Sequence, residues 1–266
     1  MSQSPVVVPA FPIDLTGRVA VVTGASRRQG IGAAICRALA AQGAGILFTH
    51  WQAYDHAQPH GADADGPVAL EGELHAMGVR AVGLEIDLSL PDSPVRVLDA
   101  AAERLGPPAI LVNNAAHSTR DSYEALDAAT LDAHYAVNVR AMALLSVLFA
   151  RRYSGEPGGR IINLSSGQSV GPMPHELAYV ATKGAVEAFT RTLASEVVAK
   201  NITVNAIDPG ATDTGWMTED LKTTIMRDTG RGRLGRPEDA ARLAVFLASD
   251  AGEWITGQTI HSRGNA

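Results

Sequence analysis

Residues 19–40 read VAVVTGASRRQGIGAAICRALA, and this stretch decides the fold. Its first four residues form an apolar run with the length of a buried parallel strand, and the apolar residues after Gly32 have the period of a helix. Gly24, Gly30 and Gly32 lie between the two, where glycines let a backbone approach a pyrophosphate and the N–H groups of a helix start face its charge. The stretch therefore predicts the first strand, the phosphate turn and the first helix of a dinucleotide-binding unit.

The same alternation continues almost to the C-terminus. Short apolar runs alternate with helix-period segments, which is the pattern of repeated strand–helix–strand units with a parallel sheet. No linker-like stretch divides the 266 residues, so we predict one Rossmann-type α/β domain over 1–266, with 1–14 as an N-terminal extension. The predicted sheet is doubly wound, parallel and seven-stranded, with helices on both faces. Its strands are predicted over 19–23, 45–49, 81–85, 110–113, 160–164, 203–207 and 258–261.

Helical patterns lie between these strands. They are predicted over 32–42, 67–77, 91–105, 131–153, 178–200 and 237–249. The stretch 52–66 is rich in His, Asp, Ala and Gly, has no period, and is predicted to be a surface loop. The segment 211–233 follows the sixth strand and would lie over the carboxyl ends of the strands, where open α/β sheets bind ligands. It is a candidate lid.

Composition excludes several classes of partner. The formal net charge is −6 and no Lys/Arg cluster is present, which argues against a nucleic-acid surface. The N-terminus lacks the positive start and long apolar run of a signal peptide, and no window has the ~18 apolar residues of a membrane span. We therefore expect no membrane partner and a cytoplasmic protein. Cys36 is the single cysteine and is predicted to be buried on a helix.

The cofactor preference can be inferred from the end of the second predicted strand. Rossmann sites that select NAD carry an acidic side chain there, which bonds the ribose 2′-OH. Thr49, His50 and Trp51 occupy this region, and none is negatively charged. Arg27 and Arg28 lie in the glycine turn, where a guanidinium could pair with a 2′-phosphate. NADP(H) is therefore preferred and NAD(H) possible; which arginine reads the phosphate stays open, and both could be solvated loop charges.

Further motifs follow one another along the chain. Together with the glycine turn, they make the sequence resemble the short-chain dehydrogenase/reductase superfamily, most closely the 3-oxoacyl-acyl-carrier-protein reductase group. The likeness covers nearly the whole chain. Its marks are the glycine turn, Asp87-Leu88, Asn113-Asn114-Ala115-Ala116, Asn138, Ser166, Tyr179-x-x-x-Lys183, Asp208-Pro209-Gly210 leading to Thr214, Gly235-Arg236-Pro237-Glu238-Asp239, and Ile255-Thr256-Gly257-Gln258.

The resemblance implies a role for most of these positions in binding the cofactor. Asp87 would bond the adenine, the backbone around 113–115 would line the cofactor, and Thr212 and Thr214 would hold the nicotinamide end. The residues predicted to contact the cofactor are Gly24, Ser26, Arg27, Arg28, Gly30, Ile31, Gly32, His50, Asp87, Leu88, Asn114, Ala115, Tyr179, Lys183, Pro209, Gly210, Thr212 and Thr214.

Three features depart from the family pattern. The glycine turn is two residues longer than usual, and Ala116 replaces a common glycine. The tail at 261–265, HSRGN, lacks the usual acidic-glycine ending. The first departure is the reason that the choice between Arg27 and Arg28 is open.

The chemistry expected of such a site is hydride transfer to a carbonyl, which builds negative charge on its oxygen. Tyr179 is the predicted proton donor, and Lys183, four residues on along one helical face, is expected to lower the tyrosine pKa by stabilising phenolate. Ser166 would hydrogen-bond the substrate oxygen. In the family the position of Asn138 holds a water that links the lysine to solvent; the alternative is an amide that only packs the helix.

The substrate is left open by the sequence. Trp216 and Met217, with 173–175 ahead of the tyrosine, are candidate contacts, although core or interface packing would equally explain them. His117, His134 and His175 have no paired spacing for a metal, so no metal is expected. We expect a small-molecule ketone or secondary alcohol as substrate, and a homotetramer formed through the helices at 131–153 and 178–200.

Two other functions stay open. The lengthened glycine turn suggests an enoyl reductase, whereas the Tyr-x-x-x-Lys spacing favours carbonyl chemistry. A regulator that binds NADP and has lost catalysis would need only the phosphate site, whereas Ser166, Tyr179 and Lys183 are all present.

Overall fold

A seven-stranded, all-parallel sheet runs through the computed structural model, which describes residues 13–59, 61–229 and 232–264. The strands follow the order β3-β2-β1-β4-β5-β6-β7. Their bounds are β1 Val19–Val22, β2 Gly45–His50, β3 Ala81–Glu85, β4 Ile110–Asn113, β5 Gly159–Leu164, β6 Ile202–Asp208 and β7 Thr259–His261. The predicted fold class, a doubly wound Rossmann sheet of seven strands, is confirmed.

The strand order reverses between β1 and β4. Val21 of β1 is in register with Leu47 of β2 on one side and with Leu111 of β4 on the other. A crevice opens at such a reversal, outside the carboxyl ends of the strands, because the connections leave in opposite directions. The segments that follow β1, β4, β5 and β6 meet at this edge.

Helices cover both faces of the sheet, which is why β1, β4, β5 and β6 are buried along their whole length. One core contains Ile35, Leu74 and Leu247, and the other contains Leu98, Phe149 and Leu193. The helices are α1 Ile31–Ala40, α2 Gln52–Ala57, α3 Gly66–Ala76, α4 Ser93–Arg104, α5 Ala128–Tyr135, α6 Met142–Arg152, α7 Leu177–Val197, α8 Glu219–Thr229 and α9 Pro237–Ala248. Helices α1, α3 and α9 supply the first core, and α4, α6 and α7 the second.

Three segments differ from the prediction. The candidate lid at 211–233, for which no helix was predicted, contains α8, Glu219–Thr229. The stretch predicted as a loop over 52–66 contains α2, whose six residues are too few to show a helical period in the sequence. The predicted helix over 131–153 begins earlier, at Ala128, where Asp127 Oδ1 accepts the N–H of Thr130 at 2.8 Å. A π-helical turn, Ala136–Ala141, separates α5 from α6. Such turns are often found at functional sites.

Cys36 is fully buried on α1, as predicted, and burial raises the pKa of its thiol. The predicted N-terminal extension lies outside the described residues except for Ile13 and Asp14. Within the described ranges, only the continuous helix Ala128–Arg152 has the length and hydropathy of a membrane span. Half of its apolar window is buried inside the fold, and core helices of soluble proteins meet the same criterion.

Candidate active site

A cavity of about 2230 Å³ lies at the carboxyl edge of the sheet. Pockets for a single small ligand usually measure ~300–1,000 Å³, so the cavity has room for a dinucleotide together with a second molecule. It is lined by all of the predicted site residues except Arg28, Asn138 and Lys183. The predicted residues that line it are Gly24, Ser26, Arg27, Gly30, Ile31, Gly32, His50, Asp87, Leu88, Asn114, Ala115, Ser166, Tyr179, Pro209, Gly210, Thr212 and Thr214.

The glycine turn is held by close backbone contacts. Gly24 has φ +74°, and a Cβ on it would lie 2.6 Å from the Cα of Ala115. A Cβ on Gly32 would overlap the carbonyl oxygen of Gly24 and lie 2.7 Å from Asn114 Nδ2. Asn114 Nδ2 donates to the Gly24 carbonyl at 2.7 Å, and the Gly24 N–H donates to Thr49 Oγ1 at 3.1 Å. Only glycine fits at these two positions of the turn.

The N-terminus of α1 is suited to bind phosphate. Its first residue follows Gly30, which supplies no side-chain cap, so the first N–H groups of the helix are available to a ligand at the cavity. These N–H groups carry the positive end of the helix dipole, and the glycines remove side chains from the approach. The turn therefore fits the pyrophosphate of a dinucleotide.

The two arginines of the turn are placed differently. Arg27 lines the cavity, and its Nη1 donates to the carbonyl of Thr214 at 3.0 Å. Arg28 Nε donates to Glu73 Oε1 at 3.0 Å, and Arg37 Nε donates to the same carboxylate at 2.7 Å. Arg28 thus has a carboxylate partner away from the main cavity, and Arg27 is the arginine that faces it.

An acidic side chain near the end of β2 was missed by the sequence analysis. Asp55, on α2, is only 7% exposed and lines the cavity. Burial lowers the pKa of Arg27, and the charge of Asp55 opposes that shift. Thr49, His50 and Trp51 carry no acid, and no pattern in the sequence marks the short helix α2 that turns Asp55 back toward the site.

Ser166, Tyr179 and Lys183 meet at the other end of the cavity. Ser166 follows β5, whereas Tyr179 and Lys183 lie on α7. The Lys183 side chain is buried, and its Nζ donates to the Leu164 carbonyl at 2.7 Å. The same Nζ lies 5.5 Å from the centroid of the Tyr179 ring. The structure therefore brings the predicted proton donor, its lysine and the serine hydroxyl together.

Burial has the largest effect on the pKa values of Tyr179 and Lys183. It raises the pKa of Tyr179 to about 12, against a lowering effect of the hydrogen bond with Ser166. Burial also lowers the pKa of Lys183 to about 8. The expectation that Lys183 lowers the tyrosine pKa is thus not met, because desolvation of the phenolate outweighs other effects and the ammonium is directed to the Leu164 carbonyl. Tyr179 is protonated at neutral pH and able to donate.

Asn138 lies on the π-helical turn and is buried. Its Oδ1 accepts the N–H of His117 at 2.7 Å, and its Nδ2 donates to the His117 carbonyl at 2.9 Å and to Thr182 Oγ1 at 3.0 Å. The amide thereby ties the loop after β4 to α7, one residue before Lys183. This arrangement matches the packing alternative for the side chain.

The other predicted contacts also make bonds within the protein. Asp87 Oδ1 accepts the N–H of Ser89 at 2.8 Å, and Thr212 Oγ1 donates to the Pro209 carbonyl at 3.1 Å. Of the candidate substrate contacts, Trp216 and Met173 line the cavity. The remaining three, Met217, Pro174 and His175, are absent from its described lining. No group of three or more His, Cys, Asp or Glu side chains is placed to hold a metal ion in the described part of the chain.

The tail after β7 contributes a second residue that the sequence analysis did not assign. Arg263 lines the cavity, and its Nη1 donates to Asp208 Oδ2 at 2.9 Å. Asp208 is fully buried at the end of β6. The departure of the tail from the family pattern was visible in the sequence, but its position beside the site was not.

The fold and this cavity are those of a nucleotide-dependent oxidoreductase of the Rossmann type. The chain belongs to the short-chain dehydrogenase/reductase superfamily, a family of oxidoreductases. The profile of the family described as Enoyl-(Acyl carrier protein) reductase matches residues 24–264.

Individual relatives match over nearly their full length. YjdA, an uncharacterized oxidoreductase of Bacillus subtilis, is 49% identical over 249 residues, which is 93% of this chain and 96% of that protein. The 3-oxoacyl-acyl-carrier-protein reductase FabG of Pseudomonas aeruginosa is 37% identical, over 95% of this chain and 98% of its own. Among solved structures, a short-chain dehydrogenase of Burkholderia cenocepacia in complex with NADP has a TM-score of 0.84 and 32% identity, over 94% of this chain and 98% of that one.

Gly32→Ala tests the glycine turn. The added Cβ would overlap the Gly24 carbonyl, so the turn must shift, and we expect a loss of about 1–3 kcal/mol in the free energy of unfolding. The control is Gly72→Ala, on the exposed side of α3, where a Cβ meets nothing within 4 Å and should add about 0.5–1 kcal/mol. Denaturant unfolding of both variants measures the difference. A Gly32→Ala protein as stable as the parent would contradict the close contact.

Lys183→Met tests the buried ammonium. The folded protein releases the Lys183 proton near pH 8, and the unfolded chain near its usual 10.5, so above pH 8 the unfolded state binds more protons. The stability contributed by this group therefore rises with pH between about 8 and 10.5. We expect the stability of the parent, relative to Lys183→Met, to rise by about 2 kcal/mol from pH 8 to pH 10. Unfolding curves across this range measure it, and a difference independent of pH would refute the lowered pKa.

Proposed function

We propose that the chain is an NADP(H)-dependent oxidoreductase that transfers a hydride between nicotinamide and a ketone or secondary alcohol, in the manner of a 3-oxoacyl reductase. The observation that supports this most is one cavity with the glycine turn at one end and Ser166, Tyr179 and Lys183 at the other. The two ends give the cavity a place for a dinucleotide and a proton donor for the group that accepts the hydride.

The preference for NADP(H) is supported by Arg27. Its side chain lines the cavity, and its charge interacts with Asp55, Tyr54 and Asp63, which follow the end of β2. A guanidinium there can pair with a 2′-phosphate through charge-assisted hydrogen bonds. The Burkholderia relative in complex with NADP supports the same preference. The nearby Asp55 would weaken the preference for NADP(H), since its negative charge repels a phosphate.

The chain's own residues supply the proton chemistry. When bound, the nicotinamide would supply or accept the hydride. In the direction of reduction, Ser166 Oγ donates a hydrogen bond to the substrate carbonyl oxygen, and the Tyr179 hydroxyl gives that oxygen its proton. Lys183, with a pKa of about 8, carries a positive charge near neutral pH. Its Nζ is held by the Leu164 carbonyl, 5.5 Å from the centroid of the Tyr179 ring, so its attraction for the phenolate is weaker than the desolvation that raises the tyrosine pKa. Oxidation of the alcohol uses the same groups in reverse.

The alternatives are less well supported. The matching family profile is described by enoyl reduction, and the lengthened glycine turn suggested the same reaction. The four-residue spacing of Tyr179 and Lys183 fits a proton donor for a carbonyl oxygen, and enoyl reduction gives no reason for this spacing. An NADP-binding regulator would not need the three side chains to meet.

A homotetramer is the proposed assembly. Leu131, Tyr135, Leu144 and Leu177 are large apolar side chains that stay 40–52% exposed on α5, α6 and α7, the helices predicted to form the interface. Burying them between subunits would remove apolar surface from water. The cytoplasmic location stays a prediction.

Arg27→Ala and Arg28→Ala test the cofactor. We expect Arg27→Ala to weaken NADPH binding by about tenfold to a hundredfold, because a charge-assisted pair with the 2′-phosphate is lost. NADH has no 2′-phosphate, so its binding should change little. Arg28→Ala, which removes a partner of Glu73, is the matched control and should leave NADPH binding within about threefold of the parent. Nicotinamide fluorescence titrations measure all three proteins. NADH binding as tight as NADPH binding in the parent would overturn the cofactor preference.

Tyr179→Phe tests the proton donor. We expect kcat/KM for reduction of methyl acetoacetate by NADPH to fall by about 10²–10⁴-fold, because the hydroxyl that protonates the carbonyl oxygen is gone. NADPH affinity should stay within a few fold. Tyr123→Phe makes the same chemical change at a side chain that is 85% exposed, and should leave the rate unchanged. Full activity in Tyr179→Phe would exclude the assigned role, and NADPH binding without turnover of any ketone in a broad panel would favour the regulator.

A further inference from the structure

The Arg263 side chain packs against two glycines beside the site. A Cβ on Gly167 would lie 2.5 Å from Arg263 Nη1, and a Cβ on Gly210 would lie 2.9–3.1 Å from the Cα, Cγ and Cβ of Arg263. Any other residue at these two positions would displace the arginine. The two glycines therefore leave the room that the Arg263 side chain occupies.

A buried carboxylate fixes one edge of the guanidinium. Arg263 Nη1 and His261 Nδ1 each lie 2.9 Å from Asp208 Oδ2, and the Gly210 N–H donates to Asp208 Oδ1 at 2.9 Å. Burial alone would raise the pKa of Asp208, but the hydrogen bonds from Arg263, His261 and Gly210 lower it. Asp208 thus stays ionised and anchors the arginine at Nη1.

The other edge of the guanidinium is available. A guanidinium presents five N–H donors in a plane, and a carboxylate can take two of them side by side. Among the described residues, Asp208 is the one hydrogen-bond acceptor of the Arg263 side chain, through Nη1 alone. The Arg263 side chain is 24% exposed and lines the cavity.

The guanidinium lies beside the segment that carries Ser166. Gly167, against which the guanidinium lies, directly follows Ser166, and Gly210 lies two residues before Thr212, which was predicted to hold the nicotinamide end. The phosphate turn, with Arg27, is formed by the segment after β1. Arg263 is therefore a cation of the catalytic end of the cavity, separate from the phosphate turn.

We propose that Arg263 is a specificity residue that binds a carboxylate of the substrate, so that the chain acts on oxo acids or on the corresponding hydroxy acids. This inference rests on the proposed hydride transfer to a carbonyl. One edge of the guanidinium stays on Asp208, and the other takes the substrate carboxylate while its carbonyl lies at Ser166 and Tyr179.

Matched pairs of acid and ester test the proposal. Pyruvate, acetoacetate and levulinate place the carboxylate at increasing distance from the ketone, and their methyl esters carry the same ketones without the charge. We expect the parent to prefer at least one acid over its ester by about tenfold or more in kcat/KM. Arg263→Gln should bring that ratio to within about twofold of one. The ratio is measured within one preparation, so it does not depend on the fraction of folded protein.

Two further variants complete the design. Arg152→Gln removes an arginine that pairs with Asp99 outside the cavity lining, and should keep the preference of the parent. Arg263→Lys keeps a cation for Asp208 and replaces Arg263→Gln if that variant fails to fold. Because a lysine ammonium has no second edge, most of the preference should still be lost.

Calorimetric titration of the same acids and esters into the NADP⁺-saturated proteins, where no hydride is available to the ketone, separates the subsite from the proposed function. Acid binding that is weakened about tenfold in Arg263→Gln, without turnover in the parent, would support the subsite and overturn the proposed reaction. Turnover of esters and acids at equal rates would support the reaction and overturn the subsite. The subsite would also be overturned if the preference for the acid over its ester survives in Arg263→Gln, or if the parent binds none of the acids measurably.

Discussion

The contact between the turn after β1 and the loop after β4 is the constraint on which the site depends. Gly24 approaches Ala115 so closely that no side chain fits between them, and Asn114 holds the Gly24 carbonyl by a hydrogen bond. This contact spans the reversal of strand order, where the sheet has a crevice. It fixes the direction of α1 and hence the place where its N–H groups meet a phosphate. The catalytic end is then built from the next strands on the same edge.

Desolvation sets the chemistry of that catalytic end. A tyrosine protonated well above neutral pH and a lysine whose pKa is lowered to about 8 both follow from burial of side chains on the same helix, α7. In the proposed reaction, Tyr179 would keep its proton until a carbonyl oxygen becomes basic enough to take it. Asn138 stabilises this arrangement indirectly, because it fastens the β4 loop to α7 beside Lys183.

Charges around the cavity divide it into two ends. Arg27 and Asp55 lie near the end of β2, whereas Arg263 and Asp208 lie near the ends of β5 and β6. In each pair a carboxylate partly neutralises a guanidinium that also faces the cavity. A ligand anion at either end therefore meets an arginine that is already oriented, and less side-chain entropy is lost on binding.

The sequence by itself determined the sheet, its first phosphate turn and the set Ser166, Tyr179 and Lys183. The sheet, the turn and the pair Tyr179 and Lys183 follow from short-range patterns: apolar runs of strand length, glycines where side chains would clash, and a tyrosine and a lysine one helical turn apart. The family resemblance added Ser166. Only the tertiary structure decided that Arg27 faces the cavity while Arg28 pairs with Glu73, that Asp55 turns back toward the site, and that Arg263 reaches Asp208 across 55 residues of sequence. It also reversed the expected pKa shift of Tyr179. The physical reason is that burial and the pairing of charges depend on contacts between distant segments, which no local pattern records.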